Sequence, residues 1–549
     1  MPIAKRRVLL LYPRFPETYW GLQYSLPVIG RKSFMPPLGL LTVAALCPAE
    51  RFEFRLVDLN CGPLREEDLA WADEVFLSAM MAQKRSLREL SARCRAAGKR
   101  VFLGGPHATA SPEECAPLAD VLVLGEAETV WGEVLADLEA DSLRPRYQSE
   151  DKPDLSLTPV PRFDLVDVAD YFTIPIQFSR GCPFQCEFCD IIVMFGRKPR
   201  TKSPAQIQAE LSAVLATGYR GDIFFVDDNF IGNKKKTQEI LEAIRAWNEA
   251  HQEPFEYTTE ASVDLAQKPR LLQAMVDAKF RRVFLGIESP SAASLEETKK
   301  YQNLRASIEE SVLTIASAGV NVMAGFIVGF DSDPANIYDL QIDLIRRLPV
   351  PMAMIARLEA APGTPLYARM EAEGRLVSER EGFVPSRVGD SNIEPLGSLR
   401  EVLREYRRVL TTIYAPKAFF ARVFLANTVA PKPRSFLAGL RGLIAQLKIG
   451  LNYSTGLGGL WRFFASQPVA YRREAIRLFL RLLFRRPDRL GLYLGYVILG
   501  NHMHRFTFES AVPLLDEQIR EADAKAAALA SEQQRARRAP RRLPQLAAE

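Results

Sequence analysis

The stretch "SRGCPFQCEFCDI", Ser179 to Ile191, holds three of the seven cysteines of a 549-residue chain. Cys182, Cys186 and Cys189 are spaced C-x3-C-x2-C. Three thiolates do not close a structural zinc site, which takes four ligands. None of the four histidines, His107, His251, His502 and His504, lies nearby to complete one. A [4Fe–4S] cluster held by three cysteines leaves its fourth iron open to an external ligand. Zinc with a remote fourth ligand is the alternative that the spacing leaves open.

The loop follows an apolar segment, "FTIPIQFSRG", that reads as a strand. Beyond it, strand and helix patterns alternate. "SPAQIQAELSAVLATG" has Ser203 as N-cap and Gly218 as stop. Then come "DIFFVDDN", "FEYTTEAS", "RVFLGIES" and "NVMAGFIVGF", each followed by a helical pattern, and "PMAMIARLEAAPGT" closes the series. Six such steps are fewer than the eight of a full (β/α)8 barrel. They predict an open, partial (β/α)6 barrel over 170–375.

Residues 1–150 alternate in the same way, with strands at "RRVLLLYP", "FEFRLVDLN", "ADEVFLSAM", "RVFLGGP" and "DVLVLGEAE". Short apolar strands between helices imply a parallel, doubly wound (Rossmann-like) α/β sheet. Its ligand belongs beyond the carboxyl ends of the strands. A Pro- and Asp-rich linker, 151–169, joins the two units. Residues 376–515 read as a mainly helical domain that includes "FLAGLRGLIAQLKIGL". Residues 516–549, rich in Ala, Arg and Gln, read as a basic tail, a frayed helix passing into disorder.

Bulk composition agrees with large cores: 48% of residues are hydrophobic, and the net charge is only +5. The apolar run Val8–Leu11 is too short for a signal peptide, and no stretch of about 18 apolar residues predicts a membrane span. A cytoplasmic location is therefore expected, with Cys47, Cys61, Cys94 and Cys115 as free core residues.

The cysteine spacing, with Phe188 just before the third thiol, closely resembles the radical S-adenosylmethionine (SAM) superfamily. The resemblance implies a [4Fe–4S] cluster on Cys182, Cys186 and Cys189 and SAM on the open iron, cleaved by one electron to a 5′-deoxyadenosyl radical. It also implies an electron donor such as flavodoxin or ferredoxin, and SAM contacts at the strand ends. Asp227 and Asp228 stand where the family meets the methionyl ammonium, although the usual Gly-Gly-Glu is absent. Glu260 and Ser262 stand at the family's ribose position, Glu288 at the next strand end, and Gly325 and Gly329 on the strand where adenine packs in the family. Ion pairs or caps are the alternative for the carboxylates, and tight turns for the glycines.

A doubly wound domain ahead of such a barrel resembles the cobalamin-binding domain of B12-dependent radical SAM enzymes. Ser78, Met80, Gly104, Gly105, His107, Gly125 and Glu126 are then the expected cobalamin contacts. The Asp-x-His-x-x-Gly pattern is missing, because "CGPLREED" follows "VDLN". That puts a histidine ligand to cobalt in doubt. Two such cofactors imply C-methylation of an unactivated carbon. A non-methylating outcome, cyclisation or rearrangement in pigment or natural-product biosynthesis, is the alternative. "PPLGLLTVAALCP", "LVDLN" and "FVDDNFIGNKK" resemble the branch that includes the hopanoid C-2 methylase and relatives with an uncharacterised C-terminal domain. A hopanoid or other lipid is the substrate favoured. The Arg-, Leu- and aromatic-rich "YRREAIRLFLRLLFRRPDRLGLYLGYVILG" suggests peripheral contact with the inner membrane. A helical subdomain with a solvated Arg face is the competing reading, and the pattern does not point to nucleic acid.

Overall fold

The computed structural model describes residues 5–378, 383, 387–432 and 462–538. The first sheet contains β1 (Arg6–Tyr12), β2 (Phe52–Asp58), β3 (Glu74–Ser78), β4 (Arg100–Gly104), β5 (Val121–Leu124) and β6 (Arg146–Gln148). All neighbours pair in parallel, in the order β2-β1-β3-β4-β5-β6. The runs that predict these strands are continuous rather than alternating, because helices cover both faces. Val8, Leu9, Leu10 and Leu11 are all fully buried. The strand order reverses at β1, so the crevice beyond β1 and β3 is the switch point at which such sheets bind ligands. The expected five strands are present. The sixth, β6, has only Tyr147 buried and carries no apolar run that would predict it.

The second sheet contains β7 (Ile174–Ile176), β10 (Gly221–Phe225), β11 (Phe255–Ala261), β12 (Phe280–Glu288), β13 (Asn321–Val328) and β14 (Ala353–Arg357). They are parallel and lie side by side in chain order, which is the six-step partial barrel expected. Along β13 the residues Val322, Ala324, Phe326 and Val328 are buried, while Met323, Gly325 and Ile327 stay partly accessible. A closed eight-strand barrel fills its interior with side chains. Here the inward-facing positions are left partly open. A short antiparallel ribbon, β8 (Ser179–Arg180) with β9 (Arg200–Thr201), closes the cysteine loop at its base.

Helices Leu399–Ile413, Pro416–Val429, Val469–Arg485, Leu490–Arg505 and Val512–Arg538 make up the C-terminal region. Arg422 has no exposed surface and locks this region onto the barrel. Its guanidinium donates to the carbonyls of Val350 (2.9 Å), Ile413 (2.7 Å) and Pro351 (3.2 Å).

Two expectations change. The tail assigned to 516–549 is helical as far as Arg538. Leu515 and Ile519 are buried, and Arg400 and Arg407 of the neighbouring helix pair with Asp523 and Asp516. A helix that buries apolar residues and satisfies its charges does not stay in solvent. Residues within 1–150 also cross into another unit. Tyr19, Leu22 and Leu26 pack in the core shared by the barrel and the C-terminal helices. Tyr19 OH meets Thr507 Oγ1 at 2.9 Å, and Ser25 Oγ donates to Ile498 O at 2.5 Å. The stretch 436–451 and residues 539–549 lie outside the described residues.

Candidate active site

The cysteine loop is held from several sides. Gly181 has φ +93°, and a Cβ there would sit 2.8 Å from Gly196 O, so the tight turn requires glycine. Cys182 N donates to Gly196 O (3.3 Å) and Cys189 N to Cys186 O (3.1 Å). Glu187 N donates to Thr298 O (2.9 Å), while its carboxylate accepts from Arg369 Nε and Nη2 at 3.1 and 3.2 Å. Gln302 Nε2 donates to Cys186 Sγ at 3.4 Å, and Asn229 Nδ2 lies 4.0 Å from Cys182 Sγ.

Among the described residues no group of three His, Cys, Asp or Glu closes around one metal ion. The thiols nonetheless feel one another, and this adds to burial in raising Cys182 and pushing Cys189 up to about 12. Spread thiols with no added histidine suit a multi-iron cluster better than a zinc ion. The cationic irons would supply the charge that stabilises the thiolates.

The strand-end residues separate into two groups. Asp227 belongs to the framework. It is 1% exposed and accepts from Phe178 N (3.2 Å), from Ser179 N and from Ser179 Oγ (2.5 Å). Burial pushes it up to about 7. Glu288 is likewise occupied, paired with Lys300 and 7% exposed. Gly329, at φ +98°, donates to Asp333 Oδ2 at 2.8 Å in a tight turn. Among these three, Glu288 forms an ion pair, Asp227 a backbone clamp and Gly329 a turn.

Asp228, Glu260, Ser262 and Gly325 remain partly accessible, and the Ser262 hydroxyl donates to Asp264 Oδ1 at 2.5 Å. Asp228 is half-buried, accepts from Gly181 N at 3.1 Å and is pushed up to about 6 by burial. Glu260 is half-buried, and its carboxyl makes no hydrogen bond among the described residues. Burial first, then Asp228, Asp227 and Glu288, push it up to about 8. Asn229, the buried last residue of "FVDDN", links Cys182 to Ser262, donating to Ser262 Oγ at 3.3 Å. At Gly325 a Cβ would lie 3.0 Å from Phe284 Cζ, so a larger residue would crowd the wall.

The carboxyl edge of the first sheet faces this loop. Helix Pro106–Ala110, beyond β4, packs against Ile191–Met194, beyond Cys189. The edge is lined by small residues. At Gly105, φ +89°, a Cβ would come within 2.3 Å of Ser78 Oγ. Gly125 N donates to Thr109 Oγ1 at 3.0 Å, Gly104 leaves little room (3.1 Å to Val123 O), and Met80 is 50% exposed.

Two expected cobalamin contacts are placed otherwise. The His107 side chain is fully enclosed, 3.9 Å from Glu114 Oε1, and presents nothing to the edge. The Glu126 side chain is 2% exposed and sits between two guanidiniums, Arg180 Nη1 at 2.7 Å and Arg200 Nη2 at 2.7 Å. Glu128 takes Arg180 Nη2 at 2.8 Å. Arg180 and Arg200 are in β8 and β9, so "GEAE" is a clamp from the first domain onto the base of the cysteine loop.

Residues 25–135 match the B12 binding domain, 176–339 the radical SAM superfamily and 364–512 a domain of unknown function. An uncharacterized methyltransferase of Synechocystis sp. is 43% identical over 417 residues, 76% of this chain and 77% of that protein. The hopanoid C-2 methylase of Rhodopseudomonas palustris is 36% identical over 424 residues, 76% of this chain and 79% of that protein.

The chain belongs to the cobalamin-dependent radical SAM methyltransferases.

Solved cobalamin-dependent radical SAM proteins share the fold of this methyltransferase. OxsB, bound to aqua-cobalamin and SAM, gives a TM-score of 0.58 at 14% identity, covering 95% of this chain and 80% of that one. TsrM of Kitasatospora setae, a radical SAM methyltransferase bound to cobalamin and a [4Fe–4S] cluster, gives 0.54 at 16% identity, covering 67% and 75%. The methyltransferase thus uses a [4Fe–4S] cluster, SAM and cobalamin. Its own residues fit all three. The three cysteines form an incomplete ligand set, the Glu260 carboxyl sits near Asp228 and Asp227 with no hydrogen bond among the described residues, and a Gly- and Ser-lined edge faces the cysteine loop.

Proposed function

We propose that the protein methylates an unactivated carbon of an apolar lipid, a hopanoid in first place, and that the lipid lies in the barrel lumen. The lumen wall carries this reading. Trp20, 40% exposed, leans on Phe284 of β12 with ring centroids 4.9 Å apart. Phe34 meets Phe224 edge-on at 6.3 Å, and Met323, Gly325 and Ile327 continue the wall along β13. Arg282, a charge on this wall, is paired with Asp222 (2.5 Å) and also donates to Thr258 Oγ1 (3.1 Å). Rings and aliphatic side chains suit a flat apolar body. Likeness to the hopanoid C-2 methylase supports the same class.

When bound, the cluster, SAM and cobalamin supply the radical and the methyl group. The chain's residues bind and orient. Cys182, Cys186 and Cys189 hold the cluster. Asp228 and Glu260 receive the positive charges of SAM, and Ser262 stands beside them. Gly325 leaves room for a flat ring. Ser78, Met80, Gly104, Gly105 and Gly125 form the bed for cobalamin. The work is placed in the cytoplasm, against the membrane, where a flavodoxin or ferredoxin supplies electrons.

Expression in a hopanoid producer that lacks its own C-2 methylase tests the substrate. Hopanoids one methyl group heavier are the expected product. Unchanged hopanoids from an active enzyme would sink this substrate.

Two variants probe the site itself. Trp20→Ala removes one ring from the wall, so the lipid KM should rise roughly tenfold with kcat little changed. A fall in kcat alone would place Trp20 elsewhere. Glu260→Gln should weaken SAM binding roughly tenfold by calorimetry. In the parent protein a carboxyl pushed up to about 8 is largely protonated at neutral pH. A cationic ligand draws it into the ionised form, so SAM binding should release a proton below about pH 8 and tighten as pH rises towards that value. Equal affinity and equal proton release in Glu260→Gln would remove this residue from the site.

A further inference from the structure

Helix Val469–Arg485 has three distinct faces. Tyr471, Ala475, Leu478 and Leu482 are buried against the body of the C-terminal region. Ile476 (49% exposed), Phe479 (38%), Leu480 (49%), Leu483 (40%) and Phe484 (85%) are not. Their spacing of three, four, seven and eight residues puts all five on one face. A soluble helix turns polar residues outward, and a run of exposed large apolar side chains marks a docking surface. The third face is a stripe at every fourth residue: Arg473, Arg477, Arg481 and Arg485. Glu474 pairs with Arg477 (2.7 Å) and lies 3.5 Å from Arg473. Arg481 and Arg485 lie over the Phe424 ring at 5.2 and 5.9 Å, and neither forms an ion pair among the described residues.

The surrounding sequence extends the same charge. From Lys432 to Arg473 the chain has seven Lys and Arg and no Asp or Glu. No single helix among the described residues is long and apolar enough to cross a membrane. A face of this kind lies along a surface instead, with apolar side chains among acyl chains and arginines on headgroup phosphates.

We infer that helix Val469–Arg485 docks the protein onto an anionic lipid bilayer through Ile476, Phe479, Leu480, Leu483 and Phe484, with Arg477, Arg481 and Arg485 on the lipid phosphates. A protein partner that is merely acidic would satisfy the arginines but leave five apolar side chains uncovered, whereas a bilayer covers both. The inference is independent of which lipid is methylated, so failure of the substrate assignment does not touch it.

Flotation of the full chain with vesicles provides the test. One set is phosphatidylcholine alone, and the other contains phosphatidylglycerol as well. The parent protein should float with the anionic vesicles and about tenfold less with the neutral ones. Leu480→Glu/Phe484→Glu and Arg481→Gln/Arg485→Gln change only exposed side chains, and each should cut flotation roughly tenfold. Methylation of substrate in detergent should be unchanged. Failure of the parent to float overturns the inference. So does undiminished flotation of both variants, or a dimer that Leu480→Glu/Phe484→Glu dissociates. Arginine variants that lose an acidic electron donor but still float would assign the stripe to that donor and overturn it too.

Discussion

Cys182→Ala is expected to abolish methylation and 5′-deoxyadenosine formation together. Cys182 is one of only three thiols in the loop. Two thiolates do not retain the cluster, and without it neither the electron nor the SAM site remains. Both products should fall by roughly a thousandfold or more, the scale on which loss of one member of a reacting unit acts. Iron and sulfide content should drop in parallel. Overall folding should survive, because Cys182 is only half-buried and the loop keeps its clamps at Gly181, Glu187 and Asp227. A folded variant with no cluster and normal turnover would refute the assignment of the loop.

Glu126→Gln should uncouple the two halves of the reaction. Glu126 is the carboxylate shared by Arg180 and Arg200, and the three side chains are 2%, 11% and 16% exposed. The substitution leaves Arg180 with Glu128, but Arg200 keeps only the carbonyls of Pro153 and Phe195. Unpairing a buried charge costs about 3–5 kcal/mol. The first domain should then sit loosely on the cysteine loop, and the unfolding midpoint should drop by several degrees. Deoxyadenosine formation, which needs only the barrel, should stay within a few-fold of normal. Methylated product should fall roughly ten- to a hundredfold, since a small misplacement of the reacting groups is enough. The ratio of deoxyadenosine to methylated product is the measurement. A ratio unchanged from the parent would mean that the clamp contributes stability alone.

Much of the fold is legible along the chain because it depends on local pattern. Buried parallel strands are continuous apolar runs, so five strands of the first sheet and all six barrel strands can be read directly. β6 and the β8–β9 ribbon have two or three residues each and almost no apolar signal. Tertiary pairing alone makes them strands. The tail reads as frayed and disordered because Ala and Arg alone carry no core. The partners Arg400 and Arg407, more than a hundred residues earlier, give its first turns something to pack on.

The site divides along the same line. By itself the sequence determined the three-thiol loop, the two α/β units and the cofactor set they imply, because spacing and periodicity are local. Only the tertiary structure decided which carboxylates are enclosed by partners from the protein. Asp227, Glu288 and Glu126 look like Asp228 and Glu260 when read along the chain. A carboxylate's role depends on what faces it, and Glu126 meets its guanidiniums 54 and 74 residues away. Partners that distant are brought together by packing, and no local pattern records them.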